Sequence, residues 1–407
     1  MSGDTLGVLG SDVEVELADG TKITYANLDY AASAPCLREV ADVVGDLLPL
    51  YASVHRGAGA LSRLCTEKYE AARESVTRFL GCRPDDELVF TRNTTDALNL
   101  LAHAVPPGTV VITFEGEHHA NLLAWDEVVR LPAPSSPDEA VSAATNALAE
   151  QHEGPALLAV TGASNVTGEV WPLTELSATA HRFGARIAVD AAQLAPHRRI
   201  DITALDLDYV AFSGHKLYAP FGTGVLAGRP DWLDRARPYL SGGGATAHVG
   251  DEPGDVRWAS GAARHEAGSP NVIGAVALAA ACDTLAAADL DTIRADEDVL
   301  MARLHDGLTA LPAVRMLGAG GAWPDRLGIV SFTVDGVETR TVSTRLAAEF
   351  GIGVRDGLFC AHPFTRRLLD EAGTTTPTAV RASIGIGTTA EHIDRLIAGL
   401  QTISGAR

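Results

Sequence analysis

Between about residue 27 and residue 240, short apolar runs alternate with longer amphipathic stretches. The runs are ELVFTR (87–92), GTVVITFE (108–115), ALLAVTGAS (156–164), ARIAVDAA (185–192), LDYVAFSG (207–214) and TGVLAGR (223–229). Runs that are apolar along most of their length predict strands buried on both faces, and segments such as DALNLLAHAV and TELSATAHRF predict helices between them. That alternation predicts an α/β fold, a mostly parallel sheet with helices on each side. Upstream, EVELADGTKITY alternates apolar and polar positions on either side of Asp19-Gly20, the pattern of a β-hairpin. Beyond a long Ala-rich helix over about 272–288, LGIVSFTV and the closing helix EHIDRLIAGLQTI predict a smaller α+β domain. The chain therefore reads as a large domain over 27–270 and a small carboxyl-terminal domain over 271–407, with the hairpin of residues 1–26 packing on the small one. LPAPSSPD (131–138) reads as a surface loop, and the Gly-rich SGGGATAHVGDEPGD (241–255) as a mobile region or lid.

Composition narrows this picture. A chain of 407 residues exceeds one ordinary core and suits two domains. It is 46% hydrophobic and 21% charged, the composition of a globular protein. The formal net charge of −20 repels phosphate backbones and argues against non-specific nucleic-acid binding. No run of ~18 apolar residues predicts a membrane span, and the amino terminus lacks a basic stretch followed by an apolar one, so a cytoplasmic location is expected. The five cysteines are scattered without a C-x-x-C, which predicts neither a disulfide framework nor a metal site.

In such sheets ligands sit outside the carboxyl ends of the strands, so the residues just past each run carry the chemistry. LDYVAF runs into Ser213-Gly214-His215-Lys216. A lysine there can point into a cleft, where a lowered pKa lets its amine form a Schiff base with pyridoxal 5′-phosphate. ARIAV ends at Asp190, and a buried carboxylate needs a partner; the protonated pyridine nitrogen of that cofactor supplies one. Gln193 is placed to hydrogen-bond the ring's phenolic oxygen. ELVFTR leads into Asn93-Thr94-Thr95, hydroxyls at a helix N-terminus whose free N–H groups and dipole suit a phosphate. Ser213 and His215 are further phosphate donors. VVITFE leads to His118, an imidazole able to stack on the ring, and ALLAVTGAS leads to Asn165, on the phenolic-oxygen side. Each piece alone has an ordinary structural use, such as a helix cap, a core histidine or a turn; five on five strand ends point to one cofactor site.

These residues carry a resemblance. The chain resembles the class V group of fold-type I pyridoxal-phosphate enzymes, and within it the Suf-type cysteine desulfurases and selenocysteine lyases. The matching stretches run nearly end to end: NLDYAASAP (27–35), SVHRGAGALS (53–62), TRNTTDALNL (91–100), EHHAN (117–121), SNVTGEV (164–170), VDAAQ (189–193), SGHKLYAPFGTGVL (213–226), RHEAGSPN (264–271), VRDGLFCAHP (354–363) and VRASIGIGTT (380–389). The resemblance implies a large domain with a mostly parallel seven-stranded sheet, a smaller α+β domain, and a homodimer with shared active sites. It implies that Lys216 is the Schiff-base lysine and proton shuttle, with Asp190 on the pyridinium and Gln193 on the phenolic oxygen. His118 stacks on the ring and assists proton transfer. Thr95, Ser213 and His215 hold the phosphate beside Thr94, with Ser269 reaching it from the second subunit. Arg381 grips the substrate carboxylate through two parallel hydrogen bonds, with Asn165 beside it and His55 and Arg355 on the substrate side.

The same resemblance makes Cys360 the nucleophile, which takes sulfur from L-cysteine as a persulfide, releases alanine and passes the sulfur to an acceptor protein. A thiolate on a flexible loop suits that hand-over. Immediately before it stand Leu358 and Phe359, where Suf-type enzymes usually carry two histidines. A second reading stays open: a class V enzyme of other chemistry, an aminotransferase, a carbon–sulfur β-lyase or an amino-acid epimerase, in which Cys360 is dispensable.

Overall fold

The computed structural model describes residues 6–151, 154–288, 290–318 and 322–405. The first five residues of the amino-terminal stretch lie outside the described residues. Strands β1 (Glu14–Glu16) and β2 (Lys22–Thr24) pair antiparallel as expected, Val15 opposite Ile23. The turn works because Gly20 takes φ +85°, open to glycine at no steric cost, and the Asp19 carboxylate accepts the Thr21 N–H at 2.8 Å. The hairpin is followed by β3 (Ala26–Asn27) and by helices α1 (Arg38–Leu47) and α2 (Ala60–Phe79).

The main sheet then begins. Its strands are β4 (Glu87–Thr91), β5 (Val110–Phe114), β6 (Val128–Leu131), β7 (Ala156–Thr161), β8 (Arg186–Asp190), β9 (Tyr209–Ser213) and β10 (Gly224–Gly228). Helices α3 (Thr94–Ala104), α4 (His119–Leu122), α5 (Pro137–Ala149) and α6 (Leu173–Arg182) intervene. The seven strands lie in the order β4-β10-β9-β8-β7-β5-β6, and only β10 runs against the rest. Six of them are the predicted apolar runs. The seventh, β6, is an edge strand of half-buried and exposed residues, so no apolar run announces it. One face of the sheet buries Ile112, Leu158, Val189 and Phe212, the other Leu98, Leu101, Tyr209 and Leu226.

Past α7 (Pro230–Arg235), the Gly-rich segment expected to form a lid instead pairs β11 (Thr246–Val249) with β12 (Val256–Trp258) as a second antiparallel hairpin. Helix α8 (Val272–Ala287) has ten buried residues and packs on α1 and α2 in the large core. It therefore belongs with the large body, although the expected boundary placed it in the small domain.

The remainder comprises α9 (Leu290–Thr309), β13 (Val314–Met316), β14 (Ile329–Val334), α10 (Thr339–Phe350), β15 (Ile352–Gly353), β16 (Arg355–Gly357), α11 (His362–Glu371), β17 (Ala379–Ser383) and α12 (Ala390–Ile403). Strands β13, β14, β17 and β16 form a four-stranded antiparallel sheet over a core of Leu304, Phe332, Leu346, Ile393 and Leu400. Helix α10 stops at Gly351, whose φ of +62° is the left-handed C-cap conformation. The amino-terminal hairpin rests here: Ala18 N–H donates to Ala348 O at 2.8 Å, and β3 runs parallel to β15. No single described helix is long and apolar enough to cross a membrane.

Candidate active site

Beyond the carboxyl ends of β4, β5, β7, β8 and β9 the chain closes round a cavity of about 210 Å³. Thr94, Thr95, His118, Asn165, Asp190, Gln193, Ser213, His215, Lys216, Arg355, Cys360 and Arg381 all line it. Asn93 caps α3 by accepting the Asp96 N–H at 3.0 Å. Both the Thr94 N–H (2.7 Å) and its hydroxyl (2.6 Å) meet Ser213 Oγ, which ties that helix end to the lysine turn. Thr95 is exposed at the same N-terminus. The turn is also tied to the amino-terminal segment: His215 O accepts the Ala34 N–H at 2.8 Å and the Ser33 hydroxyl at 3.2 Å.

Lys216 makes no hydrogen bond through its amine to any described residue. Desolvation pulls its ammonium down to about 8; Asp190 opposes this, while Arg381 and Arg355 assist it. Asp190 is buried at the end of β8, and its carboxylate accepts the Ala192 N–H at 3.0 Å. Burial raises its pKa against the pull of that N–H and of Lys216. Gln193 donates one amide hydrogen to Ala31 O at 2.8 Å. His118 caps the short helix α4, its Nδ1 accepting the Ala120 N–H at 3.0 Å, so the ring proton sits on Nε2. Desolvation and then the charge of Lys216 drive its pKa down to about 3, which keeps the imidazole neutral. His215 is lowered by the same two causes.

The opposite wall is made differently. Phe359 and Cys360 both adopt left-handed backbone, φ +52° and +55°, a conformation that costs energy for residues with a side chain. The side-chain amide of Asn165 donates to Phe359 O at 2.7 Å, and the His119 N–H donates to Cys360 O at 2.7 Å. The expected flexible loop is thus tied at two consecutive carbonyls. Asn165 lines the cavity as expected, and one of its two amide hydrogens goes to this tie. Arg381, in β17, donates from Nη1 to Asn165 O and from Nη2 to Asp29 Oδ1, each at 3.0 Å. Its guanidinium carbon lies 5.3 Å from the centre of the Phe359 ring, a cation–π contact. Arg355 opens β16 and is exposed.

One expected residue, His55, is not brought to the cavity. His55 holds Glu70 on α2 at 2.8 Å and stands edge-on to Tyr69, half-exposed and outside it; the nearer carboxylate captures the ring. Ser269 is exposed and outside the cavity of its own chain. Two other carboxylates were not anticipated. Glu117, fully buried, accepts the Thr161 N–H and the Asn121 amide at 2.8 Å each, and burial raises it to about 8. Asp29 pairs with Arg381. Asp29 lies in NLDYAASAP, a stretch already marked by its small residues; Glu117 carries no signal beyond adjacency to His118.

A mostly parallel sheet with a lysine past one strand end, facing a buried carboxylate at the next, defines the fold-type I class of pyridoxal-phosphate enzymes. The chain belongs to the class-V aminotransferase family, whose family model matches residues 26–396. It is 37% identical over 393 residues to a cysteine desulfurase of Escherichia coli O127:H6, covering 94% of each chain. Its fold superposes on the cysteine desulfurase of Thermococcus onnurineus NA1 with a TM-score of 0.84 at 30% identity, covering 94% of this chain and 95% of that one. The cysteine desulfurase CsdA of E. coli superposes with a TM-score of 0.79 at 33% identity, covering 93% and 94%.

The residues present fit the cofactor of this class, pyridoxal 5′-phosphate. Asp190 offers a buried anion, Lys216 an amine with a lowered pKa and no hydrogen-bond partner, and the N-terminus of the eleven-residue α3 a phosphate seat.

Proposed function

We propose that this chain is a cysteine desulfurase that takes sulfur from L-cysteine onto Cys360 and releases L-alanine. The observation that supports it is the placing of Cys360, Arg381 and Lys216 around one cavity. Lys216 would hold the cofactor through its amine, Asp190 would keep the pyridine nitrogen protonated, and Gln193 would meet the phenolic oxygen. Thr95, Ser213 and His215 would take the phosphate, with Thr94 fixing Ser213. When bound, pyridoxal 5′-phosphate supplies an electron sink for the pair released at the substrate α-carbon. Lys216 would be the base for the α-proton, since an amine near 8 is partly unprotonated at neutral pH. His118, neutral with its proton on Nε2, would donate and recover a proton beside it.

Arg381 would orient the substrate carboxylate, with Arg355 at the rim. Cys360, as thiolate, would attack the substrate sulfur. A sulfur–sulfur bond forms, the Cβ–S bond breaks, and its electron pair stays on carbon, which takes a proton and leaves as alanine. The persulfide on Cys360 then awaits an acceptor, proposed to be a protein that reaches into the cavity because the loop is tied down. We place the enzyme in the cytoplasm as a homodimer, with Ser269 of a second copy completing the phosphate seat. Residues 27–270, joined by α8, form the cofactor-binding domain; α9 onward forms the small domain.

The test is direct. Purified protein given L-cysteine and a reductant should release sulfide and alanine in equal amounts. Cys360→Ala should bring sulfide release to background while the visible absorbance of the bound cofactor persists. Full turnover by Cys360→Ala would replace this reading with one in which Cys360 is a bystander.

A further inference from the structure

We propose that Asp29 is a positioning residue for Arg381, fixing the guanidinium for the substrate carboxylate and offsetting its charge at Lys216. This rests on the reading above, in which Arg381 meets that carboxylate. A guanidinium has five N–H donors. In Arg381 one goes to Asn165 O and one to Asp29 Oδ1, while Nε is buried with no partner. A substrate carboxylate is left with the remaining hydrogens on Nη1 and Nη2, and Asp29 is the only carboxylate bonded to the arginine among the described residues.

Asp29 is itself held in place. Its N–H donates to Asn27 Oδ1 at 3.0 Å, its carbonyl receives the Ala32 N–H at 3.0 Å, and it bridges Ser383 beside Arg381 in β17. The segment that carries it continues through Ala31 and Ala32, which line the cavity, to Ala34, bonded to the lysine turn. One short stretch thus joins the substrate end to the cofactor end. Arg381 is almost wholly buried, and burial lowers its pKa while Asp29 raises it, so the carboxylate stabilises the charged guanidinium. The charged groups acting on Lys216 are Asp190, Arg381 and Arg355, with the Cys360 thiol and the imidazoles of His118 and His215 alongside. Removing the Asp29 charge leaves the arginine's field on Lys216 less opposed.

The experiment compares holoenzyme carrying Asp29→Asn, Asp29→Glu and Arg381→Ala, with L-cysteine kinetics and a pH titration of the visible absorbance without substrate. Asp29→Asn should raise KM roughly tenfold, as expected for a lost charged hydrogen bond, with kcat much less changed. Its absorbance midpoint should move to lower pH, and Asp29→Glu should restore part of both. Asp29→Asn with unchanged KM and midpoint, beside an Arg381→Ala whose KM rises, would overturn the proposal alone. An Arg381→Ala with unchanged KM would instead overturn the carboxylate assignment beneath it. If Asp29→Asn fails to fold, Asp29→Ala decides: an unchanged midpoint and KM there rejects the role, and a raised KM that Asp29→Glu partly restores supports it.

Discussion

At the Lys216 end of the cavity each side chain follows within a few residues of a strand of the main sheet, and the sheet itself sets the spacing. At the Cys360 end the positions depend on ties between segments far apart in sequence: Asn165 to Phe359, His119 to Cys360, Asp29 to Arg381. The first end is rigid because strand ends in a packed sheet cannot shift singly. The second holds two left-handed residues in place with a few hydrogen bonds. The difference assigns the two ends separate tasks. A cofactor would stay where the sheet puts it, whereas Cys360, proposed as the sulfur-taking nucleophile, sits on a wall set by hydrogen bonds between distant segments.

The largest effect should come from breaking the sheet-built end. Lys216→Ala should abolish the visible absorbance of the lysine-bound cofactor and lower turnover by a factor of roughly 10²–10⁴, the range lost with a general acid–base group. Fold and melting behaviour should stay close to the parent, since the amine makes no hydrogen bond that the structure needs. Activity retained at the parent level would remove Lys216 from the chemistry.

A second effect should fall on the joint between the segment past β8 of the large sheet and the elements of the small sheet. Glu297 in α9 accepts the Gly328 N–H at 2.8 Å, meets His197 at 3.0 Å and lies 3.5 Å from Arg198, both just past β8. Desolvation opposes the charge, yet the facing His197 and these hydrogen bonds hold its pKa at about 2, against 4.5 ordinarily. A carboxyl depressed in the folded state stabilises the protein above its unfolded pKa, and that stabilisation is lost as pH falls from about 4.5 toward 2. Glu297→Gln should cost about 3 kcal/mol near neutral pH. The gap between the two proteins should close in urea melts run progressively from pH 5 down to pH 2. A gap that is the same at both extremes would mean the charge is not what makes this joint.

The same contrast explains what could be read from the chain. Lys216, Asp190 and His118 were legible because an apolar run points to each. Asp29 and Arg381 stand 352 positions apart, and no periodicity links them. The left-handed turn at Phe359-Cys360 contains no glycine to announce it, so the loop read as flexible. Edge strand β6 lacked an apolar run, and the hairpin of β11 and β12 was hidden behind its glycines. His55 rests off the cavity for a related reason: a motif places a residue in a stretch, but the nearby carboxylate of Glu70 holds its ring.

The finest test of the comparison is Asn165, which lines the cavity yet gives an amide hydrogen to the cysteine loop. Losing that donor leaves the buried Phe359 carbonyl with one tie fewer, worth roughly 1–2 kcal/mol, or about tenfold in a rate that depends on the loop. Asn165→Ala should therefore lower kcat/KM for L-cysteine about tenfold and leave the cofactor's absorbance band in place. Asn165→Asp removes the donor and sets a carboxylate against a carbonyl, so it should lose more. Alkylation of Cys360 by iodoacetamide should change rate in both variants, because the turn that carries the thiol then loses its tie at the Phe359 carbonyl and keeps that of His119 at the Cys360 carbonyl. If instead Asn165→Ala weakens cofactor binding and leaves Cys360 alkylation untouched, Asn165 belongs to the sheet-built end, and the division between the two ends moves by one residue.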